Sequence, residues 1–424
     1  MKIPPGLCVQ STSSGLVLAC KLNKSLYGLR QASRQWYAKL SSALQSKGFQ
    51  PSMNDYSLFI KLHANYLTVM AVYVDDILIT GDDLLEITTL KSFLDNQFKI
   101  KDLDEIHYFL GLEVLKQSNG FLINQHKFLV DLLSEFHCSA VSPVVSPLDP
   151  HSKLSTDVGD LLSDPSGYRR LVGKLNFLQH TRPDISFTVQ YLSQFMSAPM
   201  IPHLDAAYHV LRYLTGTPTL GLLLSSSSDL TLHGFCDSDW ASCADSRRSV
   251  SGLILFLGGS PIAWKSKKQP TIALSSVEAE YRALRLLVAK VTWVLRLLTE
   301  LGVANLAPVD IYCDSQSAIH IAKNPVFHKR TKHIEVDCYF VRDALKSGVI
   351  ALHSISTSLQ VADIFTKSLL GVHQKAFISK LGMDSPSSLR GGVEVHKENE
   401  EQKPKDPKSP AHIYYIDPTR SICK

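Results

Sequence analysis

Hydrophobic and polar positions change rhythm several times along the chain. From Ser33 to Lys47 apolar residues recur at helical spacing, with Trp36, Leu40, Ala43 and Leu44 on one face and Gly48 following as a stop. The stretch "LTVMAVYVDDILITGDD" (Leu67 to Asp83) runs apolar, meets Asp75 and Asp76, and turns apolar again, which predicts two strands joined at a pair of acids. A middle segment reads as helical: Tyr168, Leu171, Val172 and Leu175 share one face, and Val210, Leu211 and Leu214 share another. Beyond it, strands are expected near 230–237, 249–257 and 270–274, then a long helix from Ser276, a strand ending at Asp314 and shorter helices. Strands followed by helices in this order predict a mixed sheet with helices packed on it.

Composition sharpens the division. "SPVVSPLDPHSKLS" (Ser142 to Ser155) and "SSSSD" (Ser225 to Asp229) break the pattern with Pro, Ser and Asp. They suggest segments 1–141, 142–228 and 229–382. After about Met383 the chain turns charged and Pro-rich, and 383–424 is expected to be a disordered tail. A net charge of +5 is too small to specify a nucleic-acid partner. The eight cysteines, Cys8 to Cys423, show neither close zinc spacing nor a dense disulfide framework, which favours a reducing compartment. No stretch approaches the roughly 20 apolar residues of a membrane span, and the N-terminus lacks a signal-peptide run. The expectation is an intracellular protein, cytoplasmic or nuclear, with no membrane partner.

Two acidic constellations remain. A plain hairpin turn would favour Asn-Gly or Asp-Gly over adjacent like charges. A divalent ion removes that objection for Asp75 and Asp76, because paired carboxylates can hold Mg²⁺ against phosphates. Later, "LHGFCDSDWA" puts Asp237 at the end of an apolar strand, "ALSSVEAEYRAL" opens a long helix, "VDIYCDSQSAI" ends a strand at Asp314, and "SLQVADIFTK" puts Asp363 within a late helix. A charge beside a core is costly unless paired or metal-bound. Glu278 stands three residues after Ser275, a capping-box spacing, while Glu280 lies about 200° around the helix and points elsewhere. Asp239 shares strand parity with Asp237 but is expected in the departing loop. Cys236 and Cys313 alternate onto the opposite sheet face and read as small core residues.

"KSLYGLRQASRQWYAKL", "YVDDILITGDD", "DLDEIHYFLGLEV" and "YRRLVGKLNFLQHTRPDISFTVQYLSQFM" come in the order and spacing of reverse transcriptases of copia-type LTR retrotransposons. From about Met1 to Gly392 the chain resembles the Pol polyprotein of that family, with Ser33 standing where a proline is common. The segment with "SGLILFLGGSPIAWKSKKQPTIALSSVEAEYRAL" and "NPVFHKRTKHIEV" is similar to the ribonuclease H domain that follows the polymerase. The resemblance implies a multidomain α/β and α+β chain: a partial reverse-transcriptase palm, a helical thumb or connection, and a ribonuclease H-like mixed sheet with flanking helices. It places the hydrolase ligands for two Mg²⁺ ions on Asp237, Glu280, Asp314 and Asp363, and a residual polymerase site on Asp75 and Asp76. The implied activity is hydrolysis of the RNA strand of an RNA–DNA hybrid. Lys265, Lys267 and Lys268 of "KSKK", and Lys329, Arg330 and Lys332 of "HKRTKH", are candidates for holding phosphates.

The polymerase half is expected to be inactive alone. That family draws a further carboxylate from an earlier palm strand, whereas before Tyr73 this chain carries one acid, Asp55. Fingers and first catalytic strand are therefore expected to be missing, with other Pol-derived chains as a further partner. The competing readings are a non-catalytic genomic remnant that binds nucleic acid weakly, and an integrase-like nuclease. The second is disfavoured by the lack of an upstream zinc-binding His/Cys cluster.

Overall fold

Leu40 and Leu44 lie one helical turn apart on α1 (Ala32–Ser46), and their burial anchors that helix in the first apolar core. In the computed structural model, which describes residues 29–63, 66–74, 76–227, 229–324, 334–386 and 412–417, the chain divides into two units. One is Met1–Ile106 with Gln402–Lys424; the other is His107–Glu401.

In the first unit, β1 (Gln50–Pro51), β2 (Leu58–His63), β3 (Tyr66–Tyr73), β4 (Asp76–Gly81) and β5 (Lys101–Glu105) join a strand at His412–Asp417, β16 in chain order. The sheet order is β1-β2-β3-β4-β16-β5. Thr68, Met70 and Val72 of β3 and Ile77, Ile79 and Gly81 of β4 alternate inward, as a half-covered sheet requires. They meet α2 (Leu84–Phe98), which buries Ile87, Leu90, Leu94 and Phe98. β3 and β4 pair antiparallel through to Tyr73↔Asp76, so the two strands expected on either side of the acids are neighbours. Asp76 opens β4, whereas Asp75 lies outside the described residues.

Among its described residues, the second unit holds two sheets and the helices packed beside them. β6 (Tyr108–Phe109), β7 (Leu112–Gln117), β8 (Gly120–Asn124), β9 (Gly221–Ser225) and a late strand, β15 (Met383–Asp384), form an antiparallel sheet ordered β15-β9-β8-β7-β6. A helical core packs α3 (His126–Glu135), α4 (Ser166–Leu178), α5 (Ser186–Leu192) and α6 (Ile201–Thr215) around Leu171, Leu175, Val189, Val210 and Leu211. Inside the same unit, "TRPDISF" builds a buried polar knot. The Arg182 guanidinium binds both carboxylate oxygens of Asp184 at 2.9 and 2.7 Å and the Thr217 carbonyl at 2.9 Å. The Tyr213 hydroxyl donates to Asp184 at 2.6 Å.

The remaining sheet comprises β10 (Leu232–Asp239), β11 (Val250–Leu257), β12 (Ser260–Lys268), β13 (Val309–Cys313) and β14 (Ile350–Ser354), in the order β12-β11-β10-β13-β14. β12, β11 and β10 are antiparallel neighbours, and β10, β13 and β14 run parallel. This is the ribonuclease H-like mixed sheet expected from sequence. α7 (Ser276–Glu300) buries Tyr281, Leu284, Leu287, Val288 and Val291 against one face, beside α8 (Gln316–Lys323) and α9 (Glu335–Lys346). On another side, the 3-10 turn Val361–Phe365 and α10 (Gly371–Lys380) pack on Ile254 and Phe256. No helix among the described residues is long and apolar enough to cross a membrane.

Several elements differ from expectation. The third strand is Ser260–Lys268, not 270–274; its lysines and Pro261 suit the sheet edge it occupies, where such residues are tolerated. Strand β14 was not anticipated. Against the expected segments 1–141, 142–228 and 229–382, the two units divide at Ile106/His107; β9 of the second segment pairs with β8 of the first and with β15 of the expected tail, so one sheet draws on all three. Of the expected tail, Met383–Asp384 and His412–Asp417 are strands. "HIYYID" is rich in β-branched and aromatic residues, a short strand former hidden in charged, Pro-rich surroundings; residues 387–411 and 418–424 lie outside the described set.

Candidate active site

The end of β10 gathers the acids. Asp237 stands opposite Gly252 of β11, and it is only 4% exposed. A Cβ at Gly252 would lie 2.7 Å from Thr366 Cγ2 and 2.8 Å from the Ala362 carbonyl oxygen, so glycine is what lets the Val361–Phe365 turn rest directly on the strand. That approach brings the Thr366 hydroxyl to donate to Asp237 Oδ2 and Gln360 Nε2 to donate to the Cys236 carbonyl at 2.9 Å. It also delivers Asp363 and Lys367: Lys367 Nζ lies 3.1 Å from Asp363 Oδ1 and 3.9 Å from Asp237 Oδ2. Asp314 follows β13 directly and accepts from the Thr357 hydroxyl at 3.2 Å.

Glu280 arrives from α7. Its Oε1 accepts from the Ser238 amide at 3.1 Å, while Oε2 is buried with no hydrogen-bond partner among the described residues. Candidate ligand atoms of Glu280, Cys313 and Asp314 lie within 4.8 Å of one another. Cys313 is nevertheless fully buried in the core beside Cys236, whose thiol is pushed up by its hydrogen bond with Cys313 and by burial. Both cysteines thus sit where strand alternation puts core residues.

The electrostatics follow from crowding. Burial, then Asp237, Cys313 and Asp314, push the Glu280 carboxyl up to about 10. Burial and Asp237 push Asp363 up to about 7 against the opposing pull of Lys367. Asp314 is raised by burial and Asp237. Asp239 is raised by burial, with Asp237 adding to it and Lys367 opposing. Burial works against the charge on Lys367, but Asp237 and Asp363 outweigh it and raise its pKa. Such a set of oxygen donors with one ammonium among them is short of positive charge, and it suits a hard divalent cation.

All four hydrolase candidates therefore meet at one place, at the ends of β10 and β13. Asp239 is the last residue of β10, paired with Val250, and not part of a departing loop. Asp363 occupies a five-residue 3-10 turn rather than a regular helix. Glu278 has the capping role expected of it. Its amide donates to Ser275 Oγ at 3.2 Å, its carboxylate accepts from Leu274 N at 2.8 Å, and Arg282 pairs with it at 2.5 Å. Lys265 and Lys267 are exposed, whereas Lys268 is engaged with Gln194 Oε1 at 2.7 Å and Cys243 Sγ at 2.9 Å. Lys329, Arg330 and Lys332 lie outside the described residues. Sequence reasoning passed over Lys367, Thr366, Gln360 and Thr357. Only Lys367 left a signal, an Asp-to-Lys spacing of four within "ADIFTK".

A family profile described as reverse transcriptase (RNA-dependent DNA polymerase) matches residues 1–150. The chain is 43% identical over 386 residues to the retrovirus-related Pol polyprotein from transposon RE1 of Arabidopsis thaliana, covering 90% of this chain and 26% of that one. With the corresponding polyprotein from transposon RE2 it shares 40% identity, over 93% of this chain and 27% of that one. It thus spans about a quarter of the length of these relatives. The transposon Ty5-1 protein of Saccharomyces cerevisiae is 31% identical, with 66% of this chain and 91% of that protein covered. Among solved structures, LC11-RNase H1 isolated from compost is similar at 12% identity and a TM-score of 0.27, covering 32% of this chain and 93% of that one. That score is too low to bear on the fold, which the strand order above defines.

Proposed function

The chain belongs to the copia-type retrotransposon Pol family, and from that premise we propose that its His107–Glu401 unit cuts the RNA strand of RNA–DNA hybrids. The observation that carries this reading is the meeting of Asp237, Glu280, Asp314 and Asp363, three of them with raised pKa values. The site fits divalent ions: its donors are carboxylate oxygens, and Glu280 Oε2 is buried without a partner among the described residues. When bound, two Mg²⁺ ions would supply an activated water and charge stabilisation at the leaving 3′ oxygen.

The chain's own residues do the positioning. Ser238 N and Thr366 Oγ1 fix Glu280 and Asp237 through one carboxylate oxygen each, and Thr357 holds Asp314. Lys367 balances Asp237 and Asp363. The exposed Lys265 and Lys267 provide charge for the hybrid's phosphates.

A labelled RNA–DNA hybrid, incubated with purified protein and Mg²⁺, tests the reading. Cleavage confined to the RNA strand and abolished by chelation is expected. An intact hybrid, with well-folded protein and with either Mg²⁺ or Mn²⁺, would overturn it. For the reverse-transcriptase-related unit we propose no polymerase activity by this chain alone. Asp55, the one acid before the "YVDD" turn, is engaged with the amide and hydroxyl of Ser57 at 2.9 and 2.7 Å. Robust primer extension lost on Asp76→Asn would contradict that.

A further inference from the structure

We propose that residues 412–417 act as an internal strand complement, filling a slot between β4 and β5 and, while seated, keeping other extended chains out of it. β16 runs antiparallel to β4 from His412↔Gly81 to Ile416↔Ile77. On its other edge it pairs with β5 at Tyr414↔Glu105, Ile416↔Asp102 and Asp417↔Lys101. β4 and β5 do not pair with each other; in the sheet order β16 is the sole neighbour of β5 and one of the two neighbours of β4. Without it, β5 has no ladder partner among the described residues, and the β4 edge beside the "YVDD" turn is open. Unpaired backbone groups on such an edge are a template for pairing with another chain.

The sequence fits this occupant. Ile413, Tyr414, Tyr415 and Ile416 are all strong strand formers. Pro410 and Pro418 flank the segment and, lacking an amide donor, bound the length that can pair. The complement concerns the unit without the hydrolase acids, so it stands or falls separately from hybrid cleavage.

Amide hydrogen exchange on the full-length chain tests it. Tyr415 pairs with Leu78 of β4 and stands at the irregularity in the β5 ladder, so Tyr415→Pro deletes an amide and fixes the backbone in the middle of the strand. Exchange at the β4 and β5 amides is expected to quicken by about tenfold or more in Tyr415→Pro. Amides of β10 and β13 serve as the folded control and should not change, and Tyr415→Ala, which keeps the amide, should lose less protection. Unchanged β4 and β5 exchange in Tyr415→Pro, or equal loss in the two variants, would overturn the proposal. Wild-type protection that disappears on dilution would also overturn it, since the strand would then come from a second copy.

Discussion

At Asp83 the carboxylate accepts from the amides of Leu85 and Glu86 at 2.9 and 3.2 Å, so the second acid pair of "YVDDILITGDD" ends in a helix cap. Acids two residues apart on α7 divide their work in the same way. Glu278 satisfies the Leu274 amide just ahead of the helix, while Glu280 turns into the carboxylate cluster. Asp314→Asn is expected to lower hybrid cleavage by roughly a hundredfold, the scale of losing one charge-stabilising group, with little change in melting temperature. Glu278→Gln should do the reverse, costing about 1–3 kcal/mol through weaker bonds from the buried position 278 to Leu274 N and Arg282 while sparing the rate per folded molecule. Matching losses in cleavage would erase the distinction. The cluster also sets a pH dependence for chelated protein. Asp363 and Glu280 have folded pKa values of about 7 and about 10, above their ordinary 3.8 and 4.5. The folded state therefore holds protons that the unfolded chain has released, and stability is lost as pH rises from about 4 through 7 and beyond. In EDTA the melting temperature should be higher at about pH 5.5 than at 8, and saturating Mg²⁺ should flatten that slope.

Elements explain which parts of this site could be read in advance. Asp237 and Asp314 each close an apolar strand, and Glu280 sits on a long amphipathic helix, so local pattern exposed them. Gln360, Thr366 and Lys367 depend on a 3-10 turn whose place is set by the missing side chain at Gly252, a contact 114 positions removed from Thr366 and invisible to periodicity. β12 was misplaced because a lysine-rich edge strand does not alternate apolar and polar residues. "TRPDISF" was recognised as a family signature, but its use is architectural. Arg182 and Asp184 are 1% and 0% exposed and bind each other, Thr217 and Tyr213. Gln374 of α10 donates to the Asp184 carbonyl at 3.3 Å. Asp184→Asn should cost about 3–5 kcal/mol by leaving a buried guanidinium uncompensated, measured as a lower denaturant midpoint.

On the scale of the whole molecule, the chain divides into two units at Ile106/His107, whereas the Pro- and Ser-rich stretches suggest breaks at 142 and 229. A Pro- and Ser-rich stretch can also wrap a core: Leu148 and Leu154 of "SPVVSPLDPHSKLS" are buried among the helices. Residues 107–401 produced alone should fold and cleave hybrid at about the full chain's rate, since a contact-defined unit carries its own core. Aggregation of that fragment, or loss of cleavage, would show that the other unit supports it.

The pairing of β9 with β15 has a consequence for synthesis. Met383 docks on Leu222, and Thr366 reaches Asp237 across 129 positions. A ribosome must therefore deliver nearly all of this unit before its sheet can close, a high-contact-order route that leaves apolar surface waiting. The acids of β10 emerge early, yet the turn that completes their cluster comes almost last. A prematurely terminated chain would thus carry most of the catalytic letters and no assembled nuclease.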